Sequence, residues 1–247
     1  APRRRRGPPP HRRSGSSSLP PSHVSPLVLV IALLASKASP SSAAQRPTPT
    51  PTPASASADL AGYIASLEEP GRAEWQKPDE VIRALRLSPG ETLCDVGSGP
   101  GYFALRAARK LESSGWVYAE DVEATMINAL RDRVAQARLS NVTPILGLPE
   151  DPLLPRAACD VILIVNTYHL FPNGPAFLRR LGKSLKPGGR IANIDFQKRE
   201  TPQGPVLARR VARESFLADA QRAGFRLTAE ETFLPYQYFL VLKTAAR

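Results

Sequence analysis

A short apolar run, Thr92-Leu-Cys-Asp-Val96, passes without a spacer into Gly97-Ser-Gly99-Pro-Gly101, and a helical pattern follows from Tyr102 to about Glu112. A strand that turns into a helix through three alternate glycines constrains the fold more than any other feature of the chain. Glycine supplies the positive φ angles of so tight a turn, and lets a ligand lie on the backbone without meeting a Cβ. In open α/β sheets such turns sit at the carboxyl ends of the strands, where ligands bind. The dinucleotide fingerprint needs Gly or Ala where this chain has Tyr102, and the Gly-Lys-Ser/Thr of a phosphate loop is missing. What survives is acid-x-Gly-x-Gly-x-Gly, beginning at Asp95; a purely structural βα turn is the bland alternative.

The rest of the body repeats the alternation. Trp116-Val-Tyr-Ala119 reads as a second strand ending in Glu120-Asp121, and Met126, Leu130 and Val134 recur at helical spacing between about Glu123 and Arg138. Val142–Leu146 is a third strand. Val161-Ile-Leu-Ile-Val165, the most apolar run of the body, suits a strand covered on both faces. A helix carrying Phe177, Leu178, Leu181 and Leu185 leads through Lys186-Pro-Gly-Gly189 to Arg190–Asp195. A helix is expected from about Val206 to Ala223, then two strands near Arg226–Phe233 and Tyr236–Lys243. Alternating strands and helices imply a doubly wound parallel sheet, and two closing strands with no helix between them imply an antiparallel hairpin.

Charge divides the chain in two. Residues 1–58 hold 8 basic and no acidic side chains and 12 of the 26 prolines, whereas residues 59–247 hold 25 basic and 22 acidic groups. The net charge of +11 therefore belongs mostly to the extension, which weakens a nucleic-acid partner as its explanation. Residues 1–58 read as a disordered Pro/Ser/Arg-rich extension, and 59–247 as the folded domain. Leu27–Ala35 would reach ~14 Å as a helix, about half a bilayer core. With basic residues before it and Ser42-Ala43-Ala44 after it, it fits a secretory signal or an anchor. That would place the protein in the periplasm, outside the cell or at a membrane; an organelle transit peptide or an inert tail on a cytoplasmic protein are the other options. Cys94 and Cys159 make no zinc spacing with His, no metal is expected, and free thiols are expected because one is late in its strand and the other precedes its own.

Asp121 lies twenty residues past Gly101, at a strand end where a carboxylate can accept both hydroxyls of a ribose. Glu120 competes for that role, and either can cap the helix that follows.

With these motifs in view, residues 72–243 resemble a class I S-adenosylmethionine-dependent methyltransferase, of the broad group that includes quinone-ring and sterol C-methyltransferases. Asp95-Val-Gly-Ser-Gly-Pro-Gly101, Val117-Tyr-Ala-Glu-Asp121, Asp160-Val-Ile-Leu-Ile164 and Leu185-Lys-Pro-Gly-Gly189 carry the resemblance, with Ala223-Gly-Phe225 and Arg72-Ala-Glu-Trp-Gln-Lys-Pro78 in support. The resemblance implies a seven-stranded Rossmann-like sheet with its last strand inserted antiparallel, S-adenosylmethionine as cofactor, and a small-molecule methyl acceptor. It implies that Asp95, Gly97, Gly99 and Gly101 hold the methionine and ribose portions and Asp121 the ribose. It places Asn166 beside the methionine end. Where the family often has an acid near the adenine this chain has Gly147-Leu-Pro149, so Glu150 or Asp151 is the expected replacement.

Methyl transfer is an in-line displacement, for which the protein aligns the partners and, for some acceptors, removes a proton. His169, in Asn166-Thr-Tyr-His169 after the fourth strand, is the candidate general base, with a structural histidine as the alternative. Tyr168 is a candidate to stack on the acceptor or pack in the wall. Tyr236, Tyr238 and Trp75 are candidates for an aromatic wall, with an ordinary core as the favoured reading for aromatics in a strand. Asp195 ends the fifth strand at the cleft edge, where such acids often serve only as caps. The rival readings are a cofactor-binding protein without catalysis, a nucleic-acid methyltransferase, and a nicotinamide-dependent oxidoreductase, which Tyr102 argues against.

Overall fold

The computed structural model describes residues 62–245; the basic extension, the run 27–35 and the Ser42-Ala43-Ala44 motif lie outside them. Seven strands form one sheet: β1 (Thr92–Val96), β2 (Trp116–Asp121), β3 (Val142–Leu146), β4 (Cys159–Val165), β5 (Leu185–Phe196), β6 (Phe225–Glu231) and β7 (Gln237–Thr244), in the order β3-β2-β1-β4-β5-β7-β6. β1 to β5 pair in parallel, and β7 inserts antiparallel between β5 and β6. This is the doubly wound sheet with a closing hairpin that the alternation predicts. Its order reverses at β1, which has β2 on one side and β4 on the other, and a crevice opens above such a switch point.

Helices cover both faces. α1 (Arg72–Gln76), α2 (Pro78–Ala84), α3 (Ala104–Leu111) and α4 (Ala124–Gln136) precede β3; α5 (Gly174–Ser184) and α6 (Arg213–Arg222) follow β4. Proline opens α2 at its first turn, where no intrahelical N–H is needed, and the Asn173 side chain accepts from Ala176 N at 3.1 Å to start α5. Val81, Ala104, Leu105 and Leu130 pack on one face of the sheet, and Phe177, Leu178, Leu181 and Phe216 on the other. β4 serves both: Val161 and Leu163 belong to the first core, Ile162 and Ile164 to the second, and all four are wholly buried. That two-sided burial is why its sequence is apolar without alternation.

Three local expectations need correction. The segment 206–212 is not helical beyond a 3-10 turn at Leu207–Arg209, and α6 begins only at Arg213. The buried Arg210 guanidinium instead donates to the carbonyls of Gln197, Arg199, Gln203 and Pro205, which pins the chain around it in an extended course. β5 starts at Leu185, so Lys186-Pro-Gly-Gly189 lies within the strand as an irregularity and not ahead of it. The third concerns the cysteines, which form a disulfide where free thiols are expected. β4 begins at Cys159 itself, two residues earlier than its apolar run suggests, and its ladder with β5 shifts register between Cys159 and Val161. The two Cα atoms are 5.8 Å apart, within the range a disulfide spans.

Candidate functional site

A cavity of about 800 Å³ lies above the carboxyl ends of β1, β2 and β4. Its first end is built on the glycine turn. Gly97, Gly99 and Gly101 have φ of +69°, +54° and +92°. A Cβ on Gly97 would fall 2.3 Å from Thr167 Cγ2, and one on Gly101 2.4 Å from Leu105 Cδ1, whereas at Gly99 the nearest atom is Leu67 Cδ1 at 3.6 Å. Two of the glycines are therefore demanded by packing as well as by conformation, and the third leaves its backbone bare toward the cavity.

The end of β2 braces this turn. Asp121 Oδ2 accepts from Gly99 N at 2.9 Å and its Oδ1 from Glu123 N at 3.0 Å, so one carboxylate both ties the loop and opens the approach to α4. Glu120 Oε2 accepts from Gly97 N at 3.4 Å, and its backbone carbonyl takes Ser98 N at 2.8 Å. Asp95, Glu120 and Asp121 all line the cavity, all are buried, and Asp95 Oδ2 and Glu120 Oε1 have no hydrogen-bond partner among the described residues. Burial pushes Glu120 up to about 8; the Gly97 amide opposes this, and the charges of Asp121 and Asp95 add to it. Burial likewise pushes Asp95 up to about 7, opposed by the Ala104 backbone, raised further by Asp121 and lowered by Arg72. Arg72 reaches the same wall from α1, with its guanidinium 3.9 Å from the Tyr102 ring centre. Tyr102 thus fills a sandwich between Arg72 and Arg106.

The opposite end is built from β4, β5 and α1. Asn166 closes β4 in a left-handed conformation, φ +55°. Its side chain joins Gln76 and Gln237 in a ring of amides: Gln76 Nε2 to Gln237 Oε1 at 3.0 Å, Gln237 Nε2 to Asn166 Oδ1 at 2.6 Å, and Asn166 Nδ2 to Gln76 Oε1 at 3.4 Å. The two glutamines are almost fully buried, so each amide satisfies another where water cannot. Next to the ring, His169 Nδ1 lies 3.4 Å from Asp195 Oδ2 at the end of β5. Trp75, Leu170, Phe171, Phe177 and Phe196 make this end apolar.

The structure thus gathers Asp95, Gly97, Gly99, Asp121, Asn166 and His169 around one cavity, while Gly101 closes the turn against Leu105 and Leu130 and does not line it. It does not bring Tyr168, Glu150 or Asp151 there. The Tyr168 ring packs edge-on against Phe216, and its hydroxyl donates to Asp219 Oδ2 at 2.6 Å, away from the cavity. Burial and that hydrogen bond hold its hydroxyl well above the usual phenol range. The wall passes Pro149, while Asp151 turns to Arg180 at 2.6 Å and to the backbone of Leu153, and Glu150 is exposed. Of the aromatic candidates only Trp75 reaches the wall; Tyr236 packs behind it and Tyr238 sits in the core. Gln237 was not legible as a site residue, and Arg72 and Gln76 were marked only through the segment Arg72–Pro78 and not as site residues themselves.

A family model described as a methyltransferase domain matches residues 87–225. The uncharacterized methyltransferase YdaC of Bacillus subtilis is 30% identical over 166 residues, which cover 67% of this chain and 86% of that protein. Nocamycin O-methyltransferase of Saccharothrix syringae is 35% identical over 103 residues, 42% of this chain and only 37% of that protein. The crystal structure of a SAM dependent methyltransferase from Aquifex aeolicus superposes with a TM-score of 0.70 at 27% identity, over 73% of this chain and 96% of that one.

Proposed function

Since the chain belongs to the S-adenosylmethionine-dependent methyltransferases, we propose that the glycine end of the cavity takes the methyl donor and the β4–β5 end takes a small, largely apolar acceptor. The observation that carries this division is the contrast in lining along one continuous cavity: bare glycine backbone and three carboxylates at one end, aromatic and aliphatic side chains around a histidine at the other. The donor carries a cationic sulfonium and an ammonium, and the unpartnered oxygens of Asp95 and Glu120 fit a positively charged ligand. In this reading Asp95 and Arg72 hold the amino-acid portion, Asp121 the ribose hydroxyls, and Asn166 the methionine end. The donor supplies an activated methyl group; the protein holds and orients it, keeps water out through the apolar wall, and offers His169 as proton acceptor. The nocamycin relative, named for O-methylation, supports an acceptor of small-molecule size. Calorimetry tests the division directly. S-adenosylhomocysteine should bind and NAD should give no heat; tight NAD binding without S-adenosylhomocysteine binding would sink it.

We further propose that the protein works in an oxidising compartment, with residues 27–35 acting in targeting. The Cys94–Cys159 disulfide supports this, because such bonds persist mainly outside the cytosol. Alkylation of the denatured full chain taken from intact cells should leave both cysteines unlabelled. Full labelling without prior reduction would remove the proposal.

A further inference from the structure

We propose that Asp195 is a positioning residue that holds His169 in the tautomer able to accept a proton, and that the acceptor presents a hydroxyl on an apolar body. The proposal rests on the methyl-transfer reading above. Asp195 is wholly buried at the end of β5, and no lysine or arginine pairs with it among the described residues. An ionised carboxylate in such a place costs several kcal/mol unless its oxygens are bonded. Its Oδ1 accepts the backbone N–H of Phe196 at 2.8 Å, which fixes the rotation of the group. Oδ2 then faces the ring of His169 at 3.4 Å, and that ring is itself nearly buried. A carboxylate oxygen can only accept, so Nδ1 carries the hydrogen and Nε2, on a residue that lines the cavity, keeps its lone pair.

Among heteroatom acceptors, the class follows from what such a base is needed for. A thiol is partly ionised near neutral pH on its own, and a neutral amine attacks through its own lone pair. A hydroxyl, with a pKa of ~10 or above, needs its proton taken as it attacks. The apolar side chains around His169 leave the rest of that molecule to be held by burial. In the step, an oxygen–carbon bond forms as the carbon–sulfur bond of the donor breaks, its electron pair passing to sulfur. The hydroxyl proton moves to Nε2, leaving an imidazolium against the Asp195 carboxylate.

Asp195→Asn is a directed test. Only the amide oxygen can accept from Phe196 N–H, so the amide nitrogen is turned to His169 Nδ1 and donates to it. That forces the hydrogen onto Nε2, the incompetent tautomer; the corresponding change in the serine-protease triad costs ~10,000-fold. The full chain, saturated with S-adenosylhomocysteine, is examined by long-range proton–nitrogen NMR, with His169→Gln assigning the signals. The same proteins are assayed for methyl transfer from S-adenosylmethionine to 2-naphthol and to benzenethiol. The expected result is an Nδ1–H imidazole in the wild type, an Nε2–H imidazole in Asp195→Asn, and kcat on naphthol lower by roughly 100-fold or more with KM within about twofold. An Nε2–H wild type, or no change of tautomer, overturns the role of Asp195; if the variant does not fold, the wild-type tautomer decides alone. Transfer to the thiol but not to naphthol overturns the hydroxyl acceptor. Failure to bind S-adenosylhomocysteine at all would strike the methyl-transfer reading instead.

Discussion

The two ends of the cavity are held together in opposite ways. At the glycine end, the turn is tied to the neighbouring strand through its own backbone: Gly97 N–H to Glu120, Gly99 N–H to Asp121, Ser98 N–H to the Glu120 carbonyl. At the other end the amide ring joins distant parts of the chain, Gln76 to Gln237 across 161 positions, Asn166 to Gln76 across 90 and Gln237 to Asn166 across 71. The glycine end also leaves acidic oxygens without partners, while the β4–β5 end sets its buried acid against a histidine. On the proposed division, the donor site common to the superfamily is written into local backbone, and the site for one particular acceptor is assembled from side chains.

That contrast is sharpest where a side chain is added to the turn. Gly97→Val places a β-branched residue at φ +69° with its Cβ on top of Thr167. Left-handed backbone costs about 1–2 kcal/mol and overpacking about 1–3 more, at the atoms that would face the donor. Calorimetry with S-adenosylhomocysteine should show no binding. Retained affinity in a folded variant would mean that the turn is only structural. At the opposite end, His169→Ala should leave that affinity within about twofold while lowering turnover on the true acceptor by roughly 100- to 10,000-fold. Equal turnover in variant and wild type would make His169 a wall residue and dissolve the division between the ends.

The same contrast explains what could be read in advance. Asp95, the three glycines and Asp121 were legible because each answers a constraint on its own stretch: a tight turn, a strand end, a bare backbone. The β4 run was legible because burial on two faces writes itself into consecutive residues. Gln76 and Gln237 carry no such mark, since a buried glutamine is explained only by the amide it meets. The disulfide was missed because it depends on where β4 begins and on a register shift, neither of which apolarity encodes. The helix expected from Val206 failed because Arg210 gathers the carbonyls of a loop that precedes it. Asp151 was the right residue type near the right strand, but the Leu148–Asp151 bridge turns it toward Arg180.

Asp121→Ala tests a smaller part of the glycine end. The carboxylate ties Gly99 and Glu123 and lines the cavity, so its loss removes a loop brace together with the proposed ribose contact. Hydrogen bonds to a charged group are worth about 1.5–3 kcal/mol, which predicts a 10- to 150-fold weaker S-adenosylhomocysteine affinity. Glu120→Ala should weaken binding less. The reverse ranking by calorimetry would exchange their roles.

The smallest expected effect comes from the unpartnered acids and is read as a pH dependence. Glu120 and Asp95 titrate at about 8 and about 7 in the folded chain, against ordinary carboxylate values near 4. Between those limits the folded chain binds more protons than the unfolded one, so stability falls as pH rises from about 4 to about 8 and is flat above. Glu120→Gln removes the larger share of that slope. The two proteins should melt at nearly the same temperature at pH 5, where Glu120 is already neutral. At pH 9 the variant should be the more stable by about 1–2 kcal/mol, less than the full shift because the neighbouring carboxylates titrate together. For a domain of this size that is a rise of roughly 2–8 °C in the thermal midpoint. A parallel pair of melting curves at both pH values would show that the glycine end carries no uncompensated acid, and that the two ends of the cavity differ in connectivity but not in charge.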